Sequence, residues 1–168
     1  MAIGSEKLTT IKDQRENVAE LRSGILNLLD GMNYYLDWKP SDEDWSAREI
    51  VYHLLDTPPG GTATLVRKIV SGEVGEYDIW SDRTNVTEQR STLDLAEMEA
   101  DLAAFFDSFD SALQATDDVS LQGRSVTMHQ RTRSEDVVRT LEEVLAGFDR
   151  HFRAHLEQLA ELREALGF

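Results

Sequence analysis

Apolar residues recur every three to four positions in four long stretches of the chain, which is the spacing of one face of an α-helix. In the first stretch, for example, Val18, Leu21 and Ile25 share such a face. The four stretches predict main helices over residues 6–30, 46–57, 93–115 and 134–165, and a shorter pattern predicts a helix over residues 62–71. The chain is therefore predicted to be mostly helical.

Two of the predicted helices have recognisable start signals. Ser46 followed by Glu49 is the sequence pattern of a capping box, in which each side chain bonds the backbone of the other residue. This helix must end near residue 57, because Pro58 and Pro59 lack the amide protons that a helix needs. Ser134, which is followed by two acidic residues, is the predicted cap of the last helix.

The segments between the helices carry weaker patterns. Residues 73–91 have no periodicity and predict a long loop. Between residues 117 and 133, apolar residues alternate around Gln122 and Gly123, which is consistent with a small hairpin or with an extended connector. No segment requires a sheet. We therefore predict an all-α protein, a single domain over residues 1–168 that folds as a four-helix bundle with a long crossover between the second and third main helices.

Composition narrows the classes of function. The chain carries 32 acidic and 17 basic residues, a net charge of -15, and such a field repels nucleic acid and anionic lipid. It has no cysteine, so any thiol chemistry would need a thiol from outside the protein. It also has no apolar stretch long enough for a signal peptide or a membrane span. These features predict a cytoplasmic protein that binds neither nucleic acid nor membrane.

Three histidines occupy positions that the helical pattern assigns to the interior. His151 and His155 are four residues apart on the apolar face of the last helix, and His53 flanks the apolar face of the second. A buried neutral imidazole left without a partner costs about 1–3 kcal/mol, and one metal ion would satisfy three such rings at once. The alternative is that each is a hydrogen-bonded core residue. The fourth histidine, His129, is predicted to be solvated.

Other helical metal sites do not fit the spacing. A zinc-protease helix has glutamate directly after its first histidine, whereas Leu54 follows His53 and Phe152 follows His151. Di-iron bundles use Glu-x-x-His pairs, and no histidine of this chain has glutamate three residues before it. A mononuclear site is the remaining metal hypothesis.

The sequence resembles the DinB/YfiT-like superfamily of small metal-binding bundle proteins, which includes thiol transferases and mycothiol-dependent maleylpyruvate isomerases. The segment from Trp45 to Leu54 is similar to the pattern W-S-x-x-E-x-x-x-H-L, and the last helix carries His151-x-x-x-His155. The resemblance implies that His53, His151 and His155 are the metal ligands. It also implies a homodimer, which the extent of the apolar helix faces favours independently.

Two functions remain open at this point. The first is a metal-dependent hydrolase or low-molecular-weight thiol S-transferase, in which three histidines hold Zn, Ni or Fe and leave positions open for water, a small-molecule substrate or a thiol co-substrate. Asp56, three residues after His53 on the same side of its helix, is the candidate general base. The second is a non-catalytic metal-binding or stress-related bundle that acts through a protein partner.

Overall fold

The structure, a computed structural model, describes residues 10–168. The predicted start of the first helix near residue 6 lies outside this range. In chain order the elements are α1 (Ile11–Leu29), α2 (Ala47–Leu55), α3 (Thr62–Ser71), β1 (Glu76–Ile79), a 3₁₀ turn (Arg90–Thr92), α4 (Leu95–Gln114), α5 (Asp118–Gly123), β2 (Ser125–Gln130), β3 (Glu135–Thr140) and α6 (Leu141–Leu166). The protein is mostly helical, as predicted, although a small sheet accompanies the helices.

Helices α1, α4 and α6 are the longest, and each contributes an apolar face to a shared core. Helix α1 packs against α4 and α6, while α2 packs against α6 and α4. Aromatic rings join α4 to α6, with centroids 5.7 Å apart for Phe106 and Phe152 and 4.9 Å apart for Phe109 and Phe148. The buried apolar side chains of the described residues, except that of Met128, form one cluster. The single-domain assignment itself stays a prediction.

The capping box predicted for the second helix is present. The Ser46 hydroxyl accepts from the Glu49 amide, and the Glu49 carboxylate accepts from the Ser46 amide at 2.9 Å. These bonds satisfy two of the amide protons that the first turn of a helix leaves without partners. The start of α2 is therefore fixed locally, which in turn fixes the position of His53 in its last turn.

A three-stranded sheet corrects the all-α prediction. Strand β1 runs parallel to β2, and β2 runs antiparallel to β3, with Tyr77 opposite Met128 and Met128 opposite Val137. The hairpin turns at residues 131–134 and not at Gln122–Gly123, which belongs to the end of α5. The long loop predicted over residues 73–91 contains β1.

The predicted start of the last helix at Ser134 is also wrong. Ser134 lies in the hairpin turn with a φ of 52°, and β3 follows it. Helix α6 begins after Thr140, whose hydroxyl accepts from the Glu143 amide while the Glu143 carboxylate accepts from the Thr140 amide. This capping box starts the helix six residues later than predicted, because a complete box satisfies more amides than a serine followed by acidic residues.

The connection from α2 to α4 contains α3, β1 and the 3₁₀ turn. Helix α3 packs against α4 and α6, and β1 joins the sheet. The buried Arg48 side chain ties the end of this connection to α2 by donating to the carbonyls of Arg90 and Leu93 at 2.8 and 2.6 Å. The route across the bundle stays a prediction. No helix among residues 10–168 has the length and apolar character needed to cross a membrane.

Candidate metal centre

Helices α2 and α6 bring three imidazoles together. His53 lies in the last turn of α2, and His151 and His155 lie on successive turns of α6. Nε2 of His151 is 2.9 Å from Nε2 of His53 and 3.1 Å from Nε2 of His155. One ligand nitrogen from each ring lies within 4.8 Å of the others. The convergence expected from helical spacing is therefore present.

Two of the rings are oriented by acceptors outside the cluster. Nδ1 of His53 donates to the carbonyl oxygen of Arg83 at 2.6 Å, and Nδ1 of His155 donates to Oε1 of Gln158 at 2.8 Å. Because a carbonyl oxygen can only accept, each Nδ1 carries the proton in the neutral ring. Each Nε2 is then a lone pair that faces the centre of the cluster.

This tautomer pattern leaves the cluster without enough protons of its own. Nε2 of His151 can donate to the lone pair of His53 or of His155, but not to both. One pair of nitrogens therefore faces each other at about hydrogen-bond distance with no proton between them. A cation at the centre would satisfy all three lone pairs. The ligand nitrogens of a tetrahedral ion with bonds near 2.05 Å are about 3.3 Å apart, a few tenths more than the separations found here.

The surroundings keep the three rings in the neutral form that binds metal. Burial, followed by the positive charges of His155 and His53, lowers the pKa of His151 to about 3. Burial also lowers the pKa of His53 and of His155, against the opposing effect of the Arg83 carbonyl and the Gln158 side chain respectively. At neutral pH the imidazoles are therefore in the neutral form, and protons compete little with a metal ion for their lone pairs.

An indole ring supports the cluster from one side. The ring of Trp45 is parallel to that of His155, with an interplanar angle of 3° and centroids 5.7 Å apart, and its centroid lies 4.8 Å from that of His53. Sequence analysis did not assign Trp45, Arg83 or Gln158 to the site. Two of them had a usable signal: Gln158 follows His155 by three residues on one helix face, and Trp45 is the first residue of the motif that ends with His53 and Leu54.

His151 also borders a cavity of about 370 Å³. The cavity lies between α3, the sheet and α6, and its apolar wall includes Leu65, Met128 and Phe148. His53 is fully buried, whereas His151 and His155 are half-buried, and His151 is the member of the cluster that lines this cavity. Between the two histidines of α6, Phe152 is fully buried, although sequence analysis had not placed it in the core. A small molecule in the cavity would therefore lie next to His151.

The structure places the remaining candidates elsewhere. Asp56 is the C-terminal cap of α2, and its carboxylate pairs with the guanidinium of Arg90. It borders three neighbouring cavities and not the one that His151 lines. His129, predicted to be solvated, lies on β2 between the carboxylates of Asp136 and Glu76, at 2.7 and 3.1 Å. It is therefore an ion-pair residue of the sheet.

Comparisons with family models and with curated protein sequences give no match. Among solved structures, the chain is similar to YfiT from Bacillus subtilis, described as "a probable metal-dependent hydrolase with an unusual four-helix bundle topology". The two are 18% identical, the alignment covers 99% of this chain and 91% of YfiT, and the TM-score is 0.71. A protein of Streptococcus pneumoniae is 11% identical, with coverage of 92% and 91% and a TM-score of 0.61. The predicted resemblance is confirmed at the level of the fold: this chain has a fold similar to the four-helix bundle of YfiT.

Proposed function

We propose that the protein is a metal-dependent hydrolase in which His53, His151 and His155 hold one divalent ion, Zn, Ni or Fe. The observation that carries the proposal is the convergence of three imidazole nitrogens, two of which, on His53 and His155, are held as lone pairs by the outer partners of their rings. The description of YfiT as a metal-dependent hydrolase supports the same reaction class for this fold. The group contains three ligands among the described residues, so an ion there keeps open positions.

A divalent ion at this point would supply Lewis acidity and lower the pKa of coordinated water to about 7. The protein's own contribution is geometric. The Arg83 carbonyl and Gln158 hold two of the rings in the binding tautomer, and Trp45 restricts their rotation. The apolar wall beside His151 limits the access of bulk water to a bound substrate.

Asp56 is proposed as the general base, although its carboxylate is engaged by Arg90. The role requires that substrate binding release this ion pair. Asp56→Asn is then expected to lower turnover about a hundredfold while metal content and fold are preserved. Unchanged turnover together with a lower melting temperature would assign Asp56 to the ion pair alone.

The metal proposal is tested by elemental analysis of protein purified without a polyhistidine tag. The expected result is about one divalent ion per chain for the wild type and a loss of more than about tenfold for His151→Ala. His129→Ala is the matched control, because it removes a histidine outside the cluster. Full metal content in His151→Ala, or an equal loss in His129→Ala, would overturn the proposal.

The reaction class is tested with a panel of esters and amides, with and without a chelator. A hydrolase is expected to act without added thiol and to lose activity on metal removal. Activity that appears only with a low-molecular-weight thiol would identify an S-transferase, and that thiol would be a co-substrate. A metal-loaded protein that is inactive both without and with added thiol would favour the non-catalytic bundle that acts through a protein partner.

The proposed setting is a cytoplasmic homodimer that acts on a small molecule. The size of the cavity beside His151 supports a small-molecule substrate. The net charge of -15 supports the absence of nucleic-acid and membrane partners. Exposed apolar side chains such as Tyr34, Val119 and Val138 support association with a second copy.

A further inference from the structure

The cavity beside His151 is lined by positively charged side chains, although the protein as a whole is acidic. Arg133, Arg139 and Arg150 line it, and no aspartate or glutamate does. The chain as a whole has almost twice as many acidic as basic residues, so an average wall would carry more carboxylates than guanidinium groups. The three arginines come from the β2–β3 turn, from β3 and from α6, so only the tertiary structure brings them to one cavity.

None of the three guanidinium groups is neutralised by the part of the chain that the structure describes. Most basic side chains there form ion pairs, such as Arg15 with Asp110 and Arg22 with Asp107. Within residues 10–168, the guanidinium groups of Arg133, Arg139 and Arg150 form no hydrogen bond or ion pair. Three positive charges that line one cavity without counter-charges repel each other, and a bound anion would relieve that repulsion.

Helix α6 has no side chain at Gly147, where the guanidinium of Arg139 lies. A Cβ atom on Gly147 would lie 2.5 Å from Nη1 of Arg139 and 3.8 Å from Nη2 of Arg150. Glycine in a helix interior costs about 0.5–1 kcal/mol relative to alanine, and at this position it leaves room for the guanidinium. Gly147 precedes His151 by four residues, so it lies about 6 Å from His151 along the axis of the helix.

A buried amide adds a further donor to the same wall. Gln130 is 6% exposed, and its Oε1 accepts from the Thr132 amide at 3.2 Å. Among residues 10–168 its NH₂ group has no partner, and the side chain borders the cavity. The lining also includes apolar side chains such as Leu65 and Val144. The cavity therefore offers cationic and amide donors together with an apolar surface.

We propose that the substrate is a small organic anion whose carboxylate or phosphate group is bound by Arg133, Arg139 and Arg150. Its apolar body lies against the wall formed by Leu65 and Val144. Its reactive atom reaches His151, which lines the same cavity. This inference rests on the proposed function for the reaction at the cluster, whereas the anion site can be tested without it.

The test measures the binding of non-reacting probes to metal-free protein, so that no carboxylate can bind a metal. The probes are 4-phenylbutyrate and phenyl phosphate, and the neutral comparator is 4-phenylbutyramide. At least one anion is expected to bind about tenfold more tightly than the amide, because charge-assisted hydrogen bonds are the stronger kind. The tighter probe identifies the anionic group. Equal affinity for the amide and both anions would overturn the proposal.

Substitutions locate the binding site. Arg139→Gln is expected to weaken binding of the preferred anion about tenfold, whereas Arg124→Gln, which makes the same charge change outside the cavity, is expected to leave it unchanged. Gly147→Ala should displace the Arg139 guanidinium and weaken binding without lowering the melting temperature. Equal weakening in Arg124→Gln would show a non-specific charge effect and refute the site.

The anion site and the metal site fail separately in these experiments. His151→Ala is expected to lose metal and to retain probe binding, and Arg139→Gln is expected to do the reverse. Metal loss in His151→Ala with no anion preference in the wild type would refute only the anion site. Anion preference in a protein that binds no metal would refute only the proposed function.

Discussion

The hydrogen bond from His155 to Gln158 offers a direct test of how the imidazole cluster is oriented. Gln158→Leu keeps the approximate size of the side chain and removes the oxygen that accepts from Nδ1 of His155 at 2.8 Å. Without this acceptor the ring can place its proton on Nε2, the nitrogen that faces the other two imidazoles. The cluster then presents one lone pair fewer to a cation.

The expected loss of metal affinity follows from the effect of removing a hydrogen bond that orients a metal-binding histidine. Removing the partner of a metal-binding histidine reduces metal affinity by about 10–100-fold, which corresponds to about 1.4–2.7 kcal/mol. Gln158→Glu is expected to act in the opposite direction, because a carboxylate is a stronger acceptor for the Nδ1 proton and makes Nε2 more basic.

The assay is competition for zinc against a chromophoric chelator at neutral pH. Gln114→Leu is the matched control, because it makes the same substitution at the exposed end of α4. A dissociation constant for Gln158→Leu within about threefold of the wild type, or an equal loss in the control, would refute the idea that this bond selects the tautomer.

Three further predictions concern stability and assembly. Arg48→Met is expected to lower the free energy of unfolding by about 3 kcal/mol in urea, because two partly buried carbonyls lose their donor, while Arg124→Met should change it by less than about 0.5 kcal/mol. The Asp136 and then the Glu76 carboxylate raise the pKa of His129, so its stabilisation is complete below about pH 6.5 and is lost as pH rises through the raised value. His129→Gln should therefore lower the melting temperature more at pH 6 than at pH 9, and equal losses would contradict this. Sedimentation at micromolar concentration should show a dimer, and a monomer alone would refute it.

Much of the imidazole cluster could be predicted because it depends on local periodicity. His151 and His155 share a face of one helix whatever surrounds it, and the capping box at Ser46 and Glu49 fixes the helix that carries His53. Once the apolar faces of both helices pack on one core, the three rings meet. The sequence determined this part through short-range spacing.

The sheet and the cavity could not be predicted in this way. The side chains of strand β3 are all exposed or half-exposed, so the strand lacks an alternating apolar pattern. The acidic residues after Ser134 also resemble the start of a helix. The complete signal at Thr140 and Glu143 was present in the sequence but was missed.

Only the tertiary structure decided which groups surround the imidazoles. The carbonyl that orients His53 belongs to Arg83, thirty residues away, and a backbone oxygen has no sequence signature. The pairing of β1 with β2 joins residues about fifty positions apart, and with α6 it brings Arg133, Arg139 and Arg150 to one cavity. Such contacts depend on how elements dock, because packing energy is summed over many distant residues, whereas spacing along one helix fixes only which side chains share a face.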